Sequence, residues 1–473
     1  MRSRRTLQVC LAVIAALVAC AQFLPGTSSS FTASTSNSGS TASAAADWTA
    51  PTVGTLAIQK AEGGIADTIR QGGTFYVYAN ASDSGNPASG VASVTADVSN
   101  IATVASATLT AGSYTVGGTS YGFRSALLTA KSTLTSGNYS YSATATDSAG
   151  NGPGTASSAT VAVDNTAFAG ADFSWDDSGA TPGKFEAGET VTWYFNKTLD
   201  PISVVGGWDG SAQTVSVVVA DAAAAGTTQD ALGVYDSTRT TLLPLGVVQM
   251  AGDFVAASKY TYFNSSTMTQ TTNSVSITLG TPDVAGNLKT ATGTGAPSWA
   301  PNAGAFDAAG NAASTASVTT FAASTVTTAN KTGGTAGKPE AGDKISYTFA
   351  NGSPAPASIL SGWSGASTPV TVRFTQNGST DLVTVLSGST TLPLGSVNTN
   401  GDFVSTTDDF TSSSMVLSGN TITITLGTVT TASFLKTDTT TNATVWTPNT
   451  SATDAYGCPV WPKAMTATAV RLF

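Results

Sequence analysis

Apolar and polar positions alternate along most of this chain with the two-residue period of half-buried strands. Residues 91–98 read Val-Ala-Ser-Val-Thr-Ala-Asp-Val, and residues 138–146 read Asn-Tyr-Ser-Tyr-Ser-Ala-Thr-Ala-Thr. Both place apolar or aromatic side chains on one face. Residues 74–81 form a denser apolar and aromatic run, and residues 159–163 predict a further strand before Asp164-Asn165-Thr166. Between such runs lie turns such as Asp147-Ser148-Ala149-Gly150-Asn151, built from residues that accept positive φ or bond their own backbone. No long helical period interrupts the pattern. Short strands closed by such turns predict an all-β chain of β-sandwiches.

The second half repeats itself. Gly183-Lys184-Phe185-Glu186-Ala187-Gly188-Glu189 returns as Gly337-Lys338-Pro339-Glu340-Ala341-Gly342-Asp343. Gly207-Trp208 returns as Gly362-Trp363, and Leu243-Pro244-Leu245-Gly246 as Leu392-Pro393-Leu394-Gly395. Gly252-Asp253-Phe254-Val255 matches Gly401-Asp402-Phe403-Val404, and Ser276-Ile277-Thr278-Leu279-Gly280 matches Thr423-Ile424-Thr425-Leu426-Gly427. Motifs kept in one order about 150 residues apart mark duplication of a whole domain. Each copy predicts a strand (190–195, 344–349), a Pro-bearing segment with a short helical turn ending in Gly-Trp, and a hairpin from 215–219 or 370–374. The alanine run after Asp221 looks helical alone. In the second copy its place is held by Thr375-Gln376-Asn377-Gly378, a hairpin turn, so the run reads as a loop insertion.

Composition narrows the function. Only 10% of residues are charged, the net charge is -9 and the pI is about 4.4. Nucleic acid is excluded as a partner, because phosphate contacts need clustered Lys and Arg. The chain has no histidine, which removes the commonest general base, the commonest metal ligand and every Ser-His-Asp arrangement. Cys10 and Cys20 lie near the N-terminus, leaving Cys458 alone in the body, so no disulfide is expected there.

Arg2, Arg4 and Arg5 precede an uncharged apolar run from Leu7 to Leu24. This is the pattern of an export signal, with an uncleaved membrane anchor as the alternative. Leu17-Val18-Ala19-Cys20 also fits a bacterial lipobox, in which Cys20 would be lipidated. The Ser/Thr-rich stretch from Gly26 to Gly39 resembles the junction of bacterial exported proteins processed by the W-type signal peptidase, a class that includes a biofilm fibre protein of bacilli. Residues 50–166 resemble bacterial immunoglobulin-like domains, through the Tyr-x-Tyr-x-Ala-x-Ala-Thr-Asp-x-Ala-Gly-Asn strand and turn and the Val-Asp-Asn-Thr terminator. Residues 167–473 resemble the transition Ig-like modules of bacterial surface proteins, in which a strand opened by Gly-Asp precedes Gly-Trp. These resemblances imply three tandem Ig-like β-sandwiches after a helical signal segment. The division is a signal peptide at 1–26, a linker or donor strand at 27–49, an Ig-like domain at 50–166 and repeats at 167–322 and 323–473.

Candidate chemistry is sparse. Asp147 and Asp164 sit at turns where calcium could bind, but calcium needs six or more oxygens and the acids are thinly spread. Asp176-Asp177, Glu186 with Glu189, and Asp408-Asp409 are paired acids of the kind used on glycosides. Glu186 and Glu189 recur as Glu340 and Asp343 in a repeated turn, which marks them as scaffold. Lys184 and Lys338 lie in glycine-rich turns unsuited to a Ser-Lys dyad. Trp208 and Trp363 read as core plugs ahead of sugar-stacking surfaces, and Cys458 as an inert thiol ahead of a pairing one. No catalytic residue, cofactor or metal ligand is assigned. The expected function is a non-enzymatic exported cell-surface or matrix protein, a tandem Ig-like spacer or adhesin, with a surface glycan or another protein as partner. A strand-donating fibre or biofilm subunit and a carbohydrate-binding protein are the alternatives. No Leu-Pro-x-Thr-Gly wall-sorting signal occurs, so anchoring through the C-terminus is not expected.

Overall fold

The computed structural model describes residues 47–222, 229–291 and 295–473. The leader with Cys10 and Cys20, most of the linker or donor segment, and the alanine run lie outside the described residues. The rest is all-β, with three sheets folded into sandwich- or barrel-like domains and helices no longer than four residues. Among the described residues no helix is long and apolar enough to cross a membrane.

The chain forms two compact units. One takes the described residues up to Ala61, with Thr74–Leu134 and Asn138–Ala162; the other takes Glu62–Gly73, Thr135–Gly137 and Val163–Phe473. In the first unit the predicted strands appear as Thr74–Ser82, Val91–Asp97, Gly137–Asp147 and Ser157–Val163. Alternation does the expected work. In Gly137–Asp147, Tyr141, Ala143 and Ala145 point into the core while the residues between them stay half-buried.

The second unit holds both repeats, and their strand orders match. In the first copy the order of hydrogen-bonded strands, after the short edge strand Ala313–Ser314, is Phe168–Asp176, Thr190–Phe195, Ser274–Thr278, Tyr260–Thr271, Gln213–Asp221, Asp230–Asp236, Val247–Gln249, Ser298–Ala300, Val318–Thr319. The second copy runs Ala322–Ala329, Lys344–Ala350, Thr421–Thr425, Asp408–Ser418, Thr368–Thr375, Leu382–Ser387, Ser396–Asn398, Val445–Thr447, Met465–Thr466. The predicted helical turns are Pro201–Ser203 and Pro356–Ile359.

Each repeated motif proves to be a piece of scaffold. Gly280 and Gly427 must be glycine because a Cβ there would run into the carbonyl oxygens of Asn264 and Thr411. Those carbonyls belong to matching irregularities at Ser265 and Ser412, both at positive φ. The next serine in each copy, Ser266 or Ser413, donates to the carbonyl of Phe263 or Phe410 and accepts from Gly280 N or Gly427 N. The Gly-Asp-Phe-Val turns are held by buried acids: Asp230 accepts from Phe254 N and Val255 N, and Asp381 from Phe403 N and Val404 N. Trp208 and Trp363 are 4% and 8% exposed, with their indole N–H groups donating to Ser211 O and Ala366 O. They lie in the core, as expected.

The linkers into the two copies are fastened alike. Phe168 stacks on Phe195 at 5.1 Å and 20°, and Phe321 on Phe349 at 5.1 Å and 17°. Asn196 donates through Nδ2 to Ala167 O, and Asn351 to Thr320 O, each at 3.0 Å.

Candidate functional site

The paired acids resolve first. Glu186 accepts from Thr181 N and Oγ1, while Glu189 accepts from Glu186 N, Gly179 N and Trp175 Nε1. The Thr181 hydrogen bond holds the Glu186 carboxyl below its usual range, whereas burial pushes Glu189 up. The second copy shows the same split. Glu340, bonded to Thr335, is lowered and buried Asp343 is raised. Opposed acids can mark catalysis, but here both copies use them to tie the same turn. Asp408 accepts from Asp409 N and Thr431 N, and Asp409 pairs with Arg373 at 2.8 Å. Lys184 and Lys338 stay in their turns, with backbone N–H groups on Thr181 O and Thr335 O.

Asp147 and Asp164 take up different partners. Asp147 joins Asp47 and Asp83, with carboxylate oxygens within 4.8 Å of one another. All three already accept protein hydrogen bonds, from Asn151, from Thr49 and Ser89, and from Gly85 and Gly90. The amides of Thr49 and Ser89 bring Asp47 down to about 2. Asp164 pairs with Lys197, which also pairs with buried Asp307.

Lys197 introduces the feature by which the copies differ. Three turns of one kind close three domains: Asn151 N donates to Asp147, Asn311 N to Asp307 and Cys458 N to Asp454. In the first copy Asp307 has the Lys197 cation and the Asn311 amide. In the second, Gly352 follows Asn351 as Lys197 follows Asn196, and Cys458 replaces Asn311. Asp454 therefore loses both partners. It lies instead against Asp172, with which it shares a hydrogen bond. Asp172 is 1% exposed and accepts from Phe173 N and Phe321 N. Burial, with Asp454 alongside, pushes Asp172 up to about 7. Two buried carboxyls without a cation are stable when they share a proton. Cys458 donates from Sγ to Phe173 O at 3.5 Å, is fully buried, and has its thiol pushed far up by that burial. It is a packed, inert group.

This acid pair sits beneath a cleft along the seam of the two copies. The larger of two adjoining cavities, about 530 Å³, opens between the first-copy strands Phe168–Asp176 and Thr190–Phe195 and the second-copy segment from Pro459 to Pro462. Its neighbour, about 380 Å³, shares Trp175, Asp177, Trp461 and Pro462 and reaches Gly183 and Lys463. Strand alternation places Ser174, Thr192 and Tyr194 on the cleft side of the sheet. Tyr194 is pushed up to about 12, chiefly by burial. Trp461 is positioned by its N–H on Phe321 O and packs into the first copy's core at 6.3 Å from Trp175. Asp177 holds Gly183 N through Oδ2 at 2.6 Å, and its Oδ1 is shielded from solvent without a hydrogen-bond partner.

Of the residues singled out by sequence, only Asp176, Asp177 and Cys458 lie in or under this cleft. Trp175, Tyr194 and Trp461 went unnoticed. One sign was available: register aligns them with Thr328, Thr348 and Ser314, so the duplicated scaffold does not require aromatics there.

No protein-family model matches this chain, and no curated protein matches it. Among solved structures, a Corynebacterium diphtheriae protein described as membrane anchored aligns over 90% of this chain and 98% of its own, at 12% identity and a TM-score of 0.16. A likeness at that TM-score carries no argument about this chain.

Proposed function

We propose that this is a non-enzymatic exported protein of the cell surface or extracellular matrix, whose tandem sandwiches act as a spacer bearing an adhesive site. The observation that carries the reading is the duplicated fastening of the linkers. The Phe168–Phe195 and Phe321–Phe349 stacks recur with the Asn196 and Asn351 hydrogen bonds. Such fastenings tie each linker to the module it opens, in the same way in both copies, as a repeated scaffold element would. The repeated acids, tryptophans and glycines are all engaged in turns and core, which fits a scaffold better than a reaction centre. The basic and apolar leader supports export.

The test is a broad screen of the secreted protein against polysaccharide, ester and peptide substrates, alongside mass spectrometry of its N-terminus. The expected result is no turnover and an N-terminus processed within the leader or lipidated at Cys20. Sustained turnover, abolished by replacing an acid of the seam, would overturn the non-enzymatic reading.

A further inference from the structure

The cleft between the copies has the chemistry of a ligand site, and four observations narrow what it takes. Its size lies within the roughly 300–1,000 Å³ of small-ligand pockets. Its walls alternate hydroxyls (Ser174, Thr190, Thr192, Tyr194) with an aromatic corner formed by Trp175 and Trp461, whose rings meet at 42°. Clustered hydroxyls suit sugar hydroxyls, and the tryptophans, 7% and 4% exposed, present only ring edges to a sugar C–H group. Asp177 Oδ1 is out of solvent with its hydrogen bond unmade. A buried acceptor left without a donor is costly, and a ligand hydroxyl would supply that donor. Finally, among the described lining residues Asp176 and Asp177 face one cation, Lys463. This charge balance disfavours anionic ligands.

The geometry points to a binding site for a neutral oligosaccharide in the seam, with the hydroxyls of Ser174, Thr190, Thr192 and Tyr194 along its wall, Asp177 accepting a sugar hydroxyl, Asp176 flanking it, and only the edges of the core residues Trp175 and Trp461 reaching its floor. The inference rests on the adhesive-spacer reading and gives that adhesion a ligand class. It also explains why the aromatics are unmatched between copies: one cleft uses residues from both, so neither copy carries it alone.

The test is calorimetric titration of the full-length protein with neutral hexasaccharides (cello-, xylo-, manno- and N-acetylglucosamine series), a hexagalacturonate and a hexalysine peptide. Asp176→Asn and Tyr194→Phe are the conservative cleft variants. Tyr260→Ala, at an exposed tyrosine away from the cleft, is the control. Saturable binding of a neutral hexasaccharide, weakened at least about tenfold by both cleft variants at unchanged melting temperature and untouched by the control, is expected. Absence of binding to every neutral probe, tighter binding of the galacturonate or the peptide, or loss of binding only in Tyr260→Ala would overturn the inference. These failures leave the spacer reading standing. Conversely, cleavage of a bound hexasaccharide would end the non-enzymatic reading while upholding the site.

Discussion

Asp172→Asn should remove a pH dependence that is written into the seam. In the wild type the Asp172 carboxyl is raised from 3.8 to about 7. A carboxyl raised on folding is held protonated in the native state. Its contribution is complete below the unfolded value near 4 and is lost as pH climbs through about 7. At about 1.36 kcal/mol per unit, the loss approaches roughly 4 kcal/mol for this nearly solvent-free group. The usual competitor for that window is histidine, and the chain contains none. Acids lowered in the native state, such as Asp47 and Glu186, titrate below it. For a domain of this size 1 kcal/mol moves the melting temperature by about 2–4 °C. About two of those units fall between pH 5 and pH 8, roughly 2.7 kcal/mol, so wild type should melt about 5–11 °C lower at about pH 8 than at about pH 5. Melting followed by tryptophan fluorescence reads this out, because Trp175 and Trp461 flank the seam. In Asp172→Asn most of the slope should vanish, leaving only the weaker trend from other raised acids such as Glu189, Asp230 and Asp381. A wild-type melting temperature flat across the window, or an Asp172→Asn slope as steep as wild type, would refute the shared-proton account.

Trp461→Ala should destabilise the first copy more than the second, by about 3–5 kcal/mol, because the side chain fills the first copy's core; hydrogen exchange resolved by segment distinguishes the copies. Glu189→Ala removes acceptors from Trp175 Nε1, Glu186 N and Gly179 N, and should cost about 3 kcal/mol in chemical denaturation. Cys458 should resist a bulky maleimide in the native protein and react only on unfolding, since its burial and raised thiol leave no accessible thiolate; rapid labelling under native conditions would contradict the packing described.

The fold was legible because its causes are local or repeated. Two-residue alternation marked strands such as Gly137–Asp147, comparison of copies marked Glu186 and Glu189 as turn scaffold, and a tryptophan after glycine at a strand entrance marked Trp208 and Trp363 as core. The cleft was not legible for the opposite reason. It joins groups that topology brings together from 285 residues apart, as in the contact of Cys458 with Phe173. Its aromatics are unmatched between copies, so a comparison tuned to what repeats passes over them. Cys458 stood out as a departure, but its meaning lay in the loss of Lys197 at Gly352, which shares no motif with it. A buried acid pair is a property of two distant strands, and sequence spacing does not encode it.

Trp461 also sets a schedule. It packs into a sandwich whose own last buried core residue, Ala313, is made 148 positions earlier (461 minus 313). At about 5–20 residues per second, the first copy waits roughly 7–30 s during synthesis for the side chain that closes it. Until then its outer sheet, with Trp175 uncovered, is a site for mispairing with another chain. Under the export proposed above, that interval would move to the far side of the membrane, where the thread emerges.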